Sequence, residues 1–153
     1  MIKRAALMLL VVPLFASADL IEVKESAQWN VNGLAHYVRA KEAKNFTANL
    51  VSTRNNASVI GFNEPYDICP FEPKYKKVKV QYQWVNYVTH CYGGNEFWIP
   101  ATQKGKDFVK QKFTSNSDVK VVFDNKTYTF STKKFTSVRQ KWERTVKTVG
   151  DAL

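Results

Sequence analysis

Few residues of the chain have the type and spacing that catalysis requires. His36 and His90 are its two histidines, and neither lies in a known serine or cysteine nucleophile motif. A metal site needs several ligands brought together, but the sequence contains no HExxH motif and no paired CxxC motif. Gly93 and Gly94 lack the spacing and the lysine of a phosphate-binding loop. We therefore predict no catalytic residue, no metal site and no cofactor.

Acidic residues offer a second route to catalysis, because two carboxylates that flank a sugar can hydrolyse it without histidine. The candidate acids are Glu64, Asp67, Glu72 and Glu96. Acidic residues in loops are common, so their presence alone does not indicate a glycosidase. A small exported hydrolase or toxin remains one functional hypothesis, and it requires acids gathered in one deep pocket.

The two cysteines, Cys69 and Cys91, have two interpretations. An isolated pair in a small exported domain usually forms a structural disulfide, which here would stabilise the fold by about 3 kcal/mol. The alternative makes Cys91 a nucleophile with His90 as its base. Adjacent residues of a strand point to opposite faces, so His90 does not easily reach the sulfur of Cys91. We predict the disulfide.

The first eighteen residues have the three-part pattern of a secretory signal. Lys3 and Arg4 precede an apolar run over residues 5–15, and Ala16 and Ala18 occupy the −3 and −1 positions of a cleavage site. The run is shorter than the roughly 20 residues of a membrane span and contains Pro13, so an uncleaved anchor is the weaker alternative. We expect a mature chain that begins at Asp19 and has no transmembrane span. The short basic segment is typical of bacteria, which predicts the periplasm, with secretion to the medium as the alternative.

The predicted mature chain is strongly basic. Residues 19–153 contain 21 basic and 13 acidic side chains, a net charge of +8, because Lys3 and Arg4 are the charged residues of the signal. Such an excess favours anionic partners: phosphorylated lipid headgroups, envelope polymers, nucleic acid or an acidic protein surface. The alternative is that the charge only keeps the protein soluble. Export separates the protein from most nucleic acid, so we do not expect that partner.

The basic residues form three clusters along the chain. One precedes and enters a predicted strand, and the other two lie on predicted helices. Our candidate binding residues are the helical ones: Lys104, Lys106, Lys110, Lys112, Arg139, Lys141 and Arg144. The strand cluster comprises Lys74, Lys76, Lys77 and Lys79. The alternative interpretation makes these residues ordinary solvated faces.

Aromatic residues alternate with the strand cluster. Tyr75, Tyr82 and Trp84 are spaced to stack on bases or sugar rings, as in proteins that bind single strands. Core packing is the alternative, and on the sequence alone we favour it.

Alternating apolar residues predict antiparallel hairpins. One hairpin pairs residues 46–50 with residues 58–62, and another pairs residues 119–123 with residues 128–131. The strongest strand pattern covers residues 77–92, with a change of phase that predicts a bulge or tight hairpin around Val85 and Asn86. Residues 34–43 suit a helical turn or a strand, and we favour the strand. A further short strand is predicted over Leu20 to Val23.

Two helices complete the prediction. Thr102 is a possible N-cap for a lysine-rich helix that reaches about Phe113, and an apolar stripe from Phe135 to Leu153 predicts an amphipathic C-terminal helix that Gly150 ends. Strands therefore dominate. We predict an α+β fold, a mainly antiparallel sheet built from hairpins with two helices, in one domain over residues 19–153.

Three functional hypotheses follow. The leading one is a non-enzymatic exported binding or inhibitory protein that contacts an anionic envelope component or an acidic protein surface. The second is an accessory or scaffold subunit of an envelope or secretion machine, which would expose an apolar patch. The third is the small hydrolase or toxin.

Overall fold

The computed structural model describes residues 29–32, 35–52, 58–64, 69, 71–92 and 94–150. Within these residues the chain forms nine strands and two helices. The strands are β1 (Asn30–Asn32), β2 (Ala35–Arg39), β3 (Thr47–Ser52), β4 (Ser58–Asn63), β5 (Tyr75–Val80), β6 (Gln83–Tyr92), β7 (Asn95–Pro100), β8 (Asp118–Phe123) and β9 (Lys126–Ser131). The helices are α1 (Gln103–Ser115) and α2 (Phe135–Gly150).

All strand pairs in the sheet are antiparallel. The strand order is β1-β2-β3-β4-β7-β6-β5-β8-β9, so most neighbours in the sheet are also neighbours in the chain. Short hairpin connections explain this order, because they join antiparallel neighbours directly. The predicted α+β fold with a mainly antiparallel sheet is confirmed, as are the hairpins β3–β4 and β8–β9. Residues 20–23 lie outside the described part of the chain.

The sheet curls around an aromatic core. Alternate residues of the strands point inward, and Phe46 lies among them, with ring centroids 4.2 Å from Tyr128 and 5.1 Å from Phe123. Phe62 stacks on Phe130 at 5.5 Å in the same interior. Each of these large rings removes a large apolar area from water, and together they contribute strongly to the stability of the fold.

The curl brings the two ends of the sheet together. The backbone N–H of Lys41, just after β2, donates to the carbonyl of Thr129 in β9 at 2.9 Å. In return, the N–H of Thr129 donates to the Glu42 carboxylate at 2.6 Å. The sheet is therefore almost a closed barrel.

The two helices pack against the interior. α1 begins at its N-cap Thr102, whose hydroxyl accepts a hydrogen bond from the N–H of Gly105 at 3.1 Å, and it buries Val109 and Phe113. α2 buries Phe135 and Val138 at its start, and the Phe135 ring lies 5.6 Å from that of Phe113. The predicted apolar stripe of α1 is thus on the packed side, as is that of α2 from Phe135 to Trp142, while residues 151–153 lie outside the described part of the chain. Neither described helix has the length and apolarity that crossing a bilayer requires.

The change of phase in residues 77–92 is a tight hairpin, but it lies four residues earlier than predicted. The turn is at Gln81 and Tyr82, and Gln81 adopts a φ of +55° there. Val80 pairs with Gln83, so Val85 faces the core and Trp84 faces outward. The predicted location at Val85 and Asn86 is wrong, because Tyr82 and Trp84 continue the alternation of Val78 and Val80 across the turn.

Candidate functional site

The candidate lysines of α1 lie on two sides of the helix. Gly105, Val109 and Phe113 form its buried stripe. Lys106 and Lys110 are one turn apart on one side of the stripe, whereas Lys104 and Lys112 lie on the other. Lys112 Nζ is 5.1 Å from the centroid of the Phe108 ring. The four charges therefore do not form one cluster.

The candidate residues of α2 are also divided. Arg139 packs over the ring of Phe135 at 6.0 Å and pairs with Glu143 at 3.9 Å, so most of its side chain is covered. Lys141 and Arg144 are exposed, and the Nε of Arg144 donates to the carbonyl of Gln140 at 3.2 Å. Whether the seven helical residues bind a partner stays a prediction.

The strand cluster divides by the pleat of β5. Lys76 points inward, where its ammonium lies 2.7 Å from Asp124 and 4.1 Å from the centroid of the Phe123 ring. Lys74 reaches the buried carboxylate of Glu96. Lys77 and Lys79 face outward, and no acidic residue occurs in the whole stretch from residue 73 to residue 92. These two lysines therefore lie on the outer side of a hairpin that contains no acidic residue of its own.

The same outer face carries large exposed aromatic side chains. Tyr75 is 75% exposed, Tyr82 87% and Trp84 58%, while Phe71 is fully exposed. The interpretation of Tyr75, Tyr82 and Trp84 as core residues is wrong, because the turn at residues 81–82 places Trp84 opposite Lys79 on the outside. Among the residues that the structure describes, these four are all of the large hydrophobic side chains that are exposed.

We call this surface the lysine–aromatic face. It consists of Phe71, Tyr75, Lys77, Lys79, Tyr82 and Trp84. Tyr75, Lys77 and Lys79 alternate along β5, and Lys79 Nζ lies 5.8 Å from the centroid of the Trp84 ring. The exposed Lys120 and the half-buried Val122 extend the face onto β8, since Val122 pairs with Lys79. Apolar rings and ammonium groups thus share one side of the sheet.

A shallow groove of about 450 Å³ adjoins the lysine–aromatic face. Phe71, Pro73, Tyr75, Val88 and His90 line it, together with the disulfide residue Cys91. The predicted disulfide between Cys69 and Cys91 is present, with the two Cα atoms 5.6 Å apart. It ties the segment that carries Phe71 to the end of β6. The interpretation of Cys91 as a nucleophile is therefore wrong.

The remaining candidates for catalysis are dispersed. His36 is buried with its ring 4.8 Å from that of Trp142, whereas His90 is exposed on β6. Glu96 is buried, Glu72 is exposed in a loop, and Asp67 lies outside the described residues. No three of the described histidine, cysteine, aspartate and glutamate side chains are grouped to hold a metal ion.

The side chains whose pKa values are raised lie in the interior of the fold. Burial raises the pKa of Tyr87 well above its ordinary range. Burial also raises the pKa of Tyr128, and the negative charges of Glu64, Asp124 and Glu42 act in the same direction. Because both tyrosines face the packed core, these shifts belong to the fold and mark no reactive group at the surface.

Comparisons of the chain with protein-family models, curated proteins and solved structures found no match. Function is therefore argued from the surface itself. Sequence reasoning chose the helical lysines as candidate binding residues and did not identify the exposed surface formed by Tyr75, Trp84 and the neighbouring lysines. The absence of acidic residues from 73 to 92 is visible in the sequence and could have indicated this surface. No feature of the sequence indicated that Phe71 is exposed.

Proposed function

We propose that the protein is an exported, non-enzymatic binding protein that attaches to an anionic component of the cell envelope. The lysine–aromatic face is the observation that carries this proposal. Exposed large apolar groups are costly on a protein that binds nothing, and rings interleaved with lysines are complementary to a partner that has both apolar and anionic parts.

The distribution of ionisable groups favours binding over catalysis. The exposed groups of the lysine–aromatic face itself are ammonium, phenol, indole and phenyl groups, and none of its six side chains is a carboxylate or an imidazole, the groups that most often move protons in catalysis. The buried acid Glu96 is occupied by its pairing with Lys74. Recognition by charge and apolar contact needs no carboxylate or imidazole to move a proton.

The helical lysines contribute attraction at a distance. Lys106 and Lys110 add to a chain whose net charge is +10 before processing. The screening length falls from about 30 Å at 0.01 M salt to about 8 Å at 0.15 M, so charges remote from the contact act mainly at low salt.

The test is retention of the mature protein on anionic vesicles and on envelope extracts at both salt concentrations. We expect retention at 0.01 M salt that weakens at 0.15 M. Charge reversal by Lys106→Glu with Lys110→Glu should reduce retention at 0.01 M and leave the fold intact, since both side chains are partly exposed and lie beside the buried stripe of the helix, and surface substitutions usually cost under about 0.5 kcal/mol. Absence of retention on every anionic material at low salt would show that the charge serves only solubility.

Export is tested separately. Ala16 and Ala18 motivate cleavage before Asp19. The intact mass of protein recovered from the periplasmic fraction should equal that of residues 19–153. A full-length mass in that fraction would contradict the proposed cleavage.

An accessory subunit of an envelope machine is the second candidate, because the exposed aromatic rings also suit a protein partner. This candidate predicts stable co-purification of one partner at 0.15 M salt. Loss of that partner in Tyr75→Ser with Trp84→Ser, without any affinity for vesicles, would favour it over the leading proposal.

A further inference from the structure

We propose that the lysine–aromatic face docks on the surface of an anionic lipid bilayer. This inference rests on the proposed function, and it names the partner and the residues in contact. The partner is a phospholipid surface with acidic headgroups. The aromatic side chains contact its headgroup region, and the lysines between them contact the acidic groups.

The positions of the aromatic residues support a planar partner. Phe71 precedes β5 and Tyr82 lies in the turn that follows it, so exposed rings occur at both ends of the strand. The extended segment from Tyr75 to Val80 is about 17 Å long, which separates the two contacts. Tyrosine and tryptophan prefer the headgroup region of a bilayer, and phenylalanine reaches the acyl boundary.

The lysines lie between these contacts. Lys77 and Lys79 point outward from the middle of β5, and Lys120 is exposed on the neighbouring strand β8. Each lysine near an anionic membrane contributes about 1 kcal/mol of attraction. Since residues 73–92 contain no acid, that attraction is not cancelled within the hairpin.

Phe71 favours a lipid surface over a soluble anionic polymer. A ring that stacks on a sugar or base is useful when neighbouring side chains hold it in place, as Lys79 does for Trp84. Phe71 is fully exposed and has no polar atom, so it gains most by leaving water altogether. The disulfide at Cys69 restrains its segment and so lowers the entropy lost when the ring inserts.

The first measurement is tryptophan emission of the mature protein at 0.15 M salt. It is titrated with vesicles of 30% phosphatidylglycerol in phosphatidylcholine, with pure phosphatidylcholine vesicles, and with dextran sulfate. Trp84 is exposed, whereas Trp29 and Trp98 are buried and Trp142 is partly buried. We expect a blue shift with the mixed vesicles only, and we expect Trp84→Phe to co-sediment with them but to lose most of the shift.

The second measurement is co-sedimentation of matched variants with the mixed vesicles. Lys77→Gln with Lys79→Gln should weaken binding about 30-fold, which is the loss of two attractions of about 1 kcal/mol each. Phe71→Ser with Tyr82→Ser should weaken it at least about 10-fold while thermal unfolding stays unchanged. The control, Lys133→Gln with Lys134→Gln, removes the same charge from two exposed residues that precede α2 and lie outside the face, and it should bind within about 3-fold of the wild type because screening at 0.15 M limits remote charges.

Three outcomes would overturn the inference. If both face variants bind like the control, the lysine–aromatic face is not the contact, and the proposed function survives only as anionic binding through another surface. If the protein binds dextran sulfate or envelope extracts but not mixed vesicles, the partner is a polymer or a protein. If nothing anionic is bound even at 0.01 M salt, the inference and the proposed function fail together.

Discussion

The ammonium group of Lys74 lies 3.3 Å from Oε2 of Glu96, whose side chain is only 1% exposed. A lysine at the surface thus balances a carboxylate inside the sheet, and the other carboxylate oxygen has no partner among the described residues. Backbone geometry supports the approach, because the Lys74 N–H donates to the Thr89 hydroxyl and the Thr89 N–H donates to the Lys74 carbonyl. The pair couples the start of β5 to β7.

Removal of the Lys74 ammonium group should therefore destabilise the fold. We expect Lys74→Met to lower the free energy of unfolding by about 1–3 kcal/mol, because it leaves a buried charge without its partner. The double variant with Glu96→Gln should recover part of the loss. Urea denaturation measures both, with Lys77→Met as the exposed control at under about 0.5 kcal/mol. Equal stability of Lys74→Met and Lys77→Met would show that the pair contributes nothing.

The disulfide should contribute a similar amount. Replacement of Cys69 and Cys91 by serine releases a closed loop and should lower the free energy of unfolding by about 3 kcal/mol. Reduction of the wild type should have the same effect. Thiol titration of the denatured, unreduced protein should find no free thiol, and two free thiols would refute the crosslink.

The buried phenol of Tyr87 should make the protein sensitive to alkali. Its pKa is raised by burial above the ordinary 10.0, so the folded chain keeps a proton that the unfolded chain releases near that pH. Its contribution is fully present below pH 10 and is lost as the pH rises further, because the unfolded state then binds fewer protons.

The variant Tyr87→Phe tests this contribution. It should flatten the fall in stability between pH 9 and about pH 11 by up to roughly 1.4 kcal/mol, which corresponds to one pH unit. Its effect at pH 7 should be small, since the hydroxyl has no hydrogen-bond partner among the described residues. Tyr82→Phe, at an exposed position, should leave the pH profile unchanged. An identical alkaline fall in wild type and Tyr87→Phe would contradict the assignment.

The N-cap of α1 gives a further test. Thr102→Ala should cost about 1 kcal/mol because the N–H of Gly105 loses its acceptor, while Thr102→Ser should retain most of the stability. The control is Thr114→Ala in the exposed last turn, where alanine also favours the helix. If Thr102→Ala and Thr114→Ala unfold at the same denaturant concentration, the cap is unimportant.

Local patterns predicted much of this fold because local chemistry determines those parts. The hairpins β3–β4 and β8–β9 combine alternating strands with polar intervening sequences, and in the second hairpin Asp124 and Asn125 adopt the positive φ that such residues tolerate. The turn at Gln81 and Tyr82 lacks that signal. Its neighbours continue the alternation across it, so the sequence could not show where the strand reverses.

The candidate site depended on that same turn. Once Val80 is paired with Gln83, the inward and outward residues of β6 are exchanged relative to an uninterrupted strand, and Trp84 becomes a surface residue. The pleat of β5 turns Lys76 inward, and its ammonium group there pairs with Asp124, a residue distant in sequence that the local pattern could not identify as its partner. The disulfide was predictable because the chain has one possible pairing of its two cysteines.

The closure of the sheet at Lys41, Glu42 and Thr129 has a consequence for self-association. A free outer strand presents unpaired N–H and C=O groups on which another copy of the protein can build a continuous sheet. At Thr129 both groups are already satisfied, by Glu42 and by the N–H of Lys41. While these bonds hold, the backbone at the middle of β9 has no free donor or acceptor to offer to another strand, which protects this part of the sheet edge from edge-to-edge pairing.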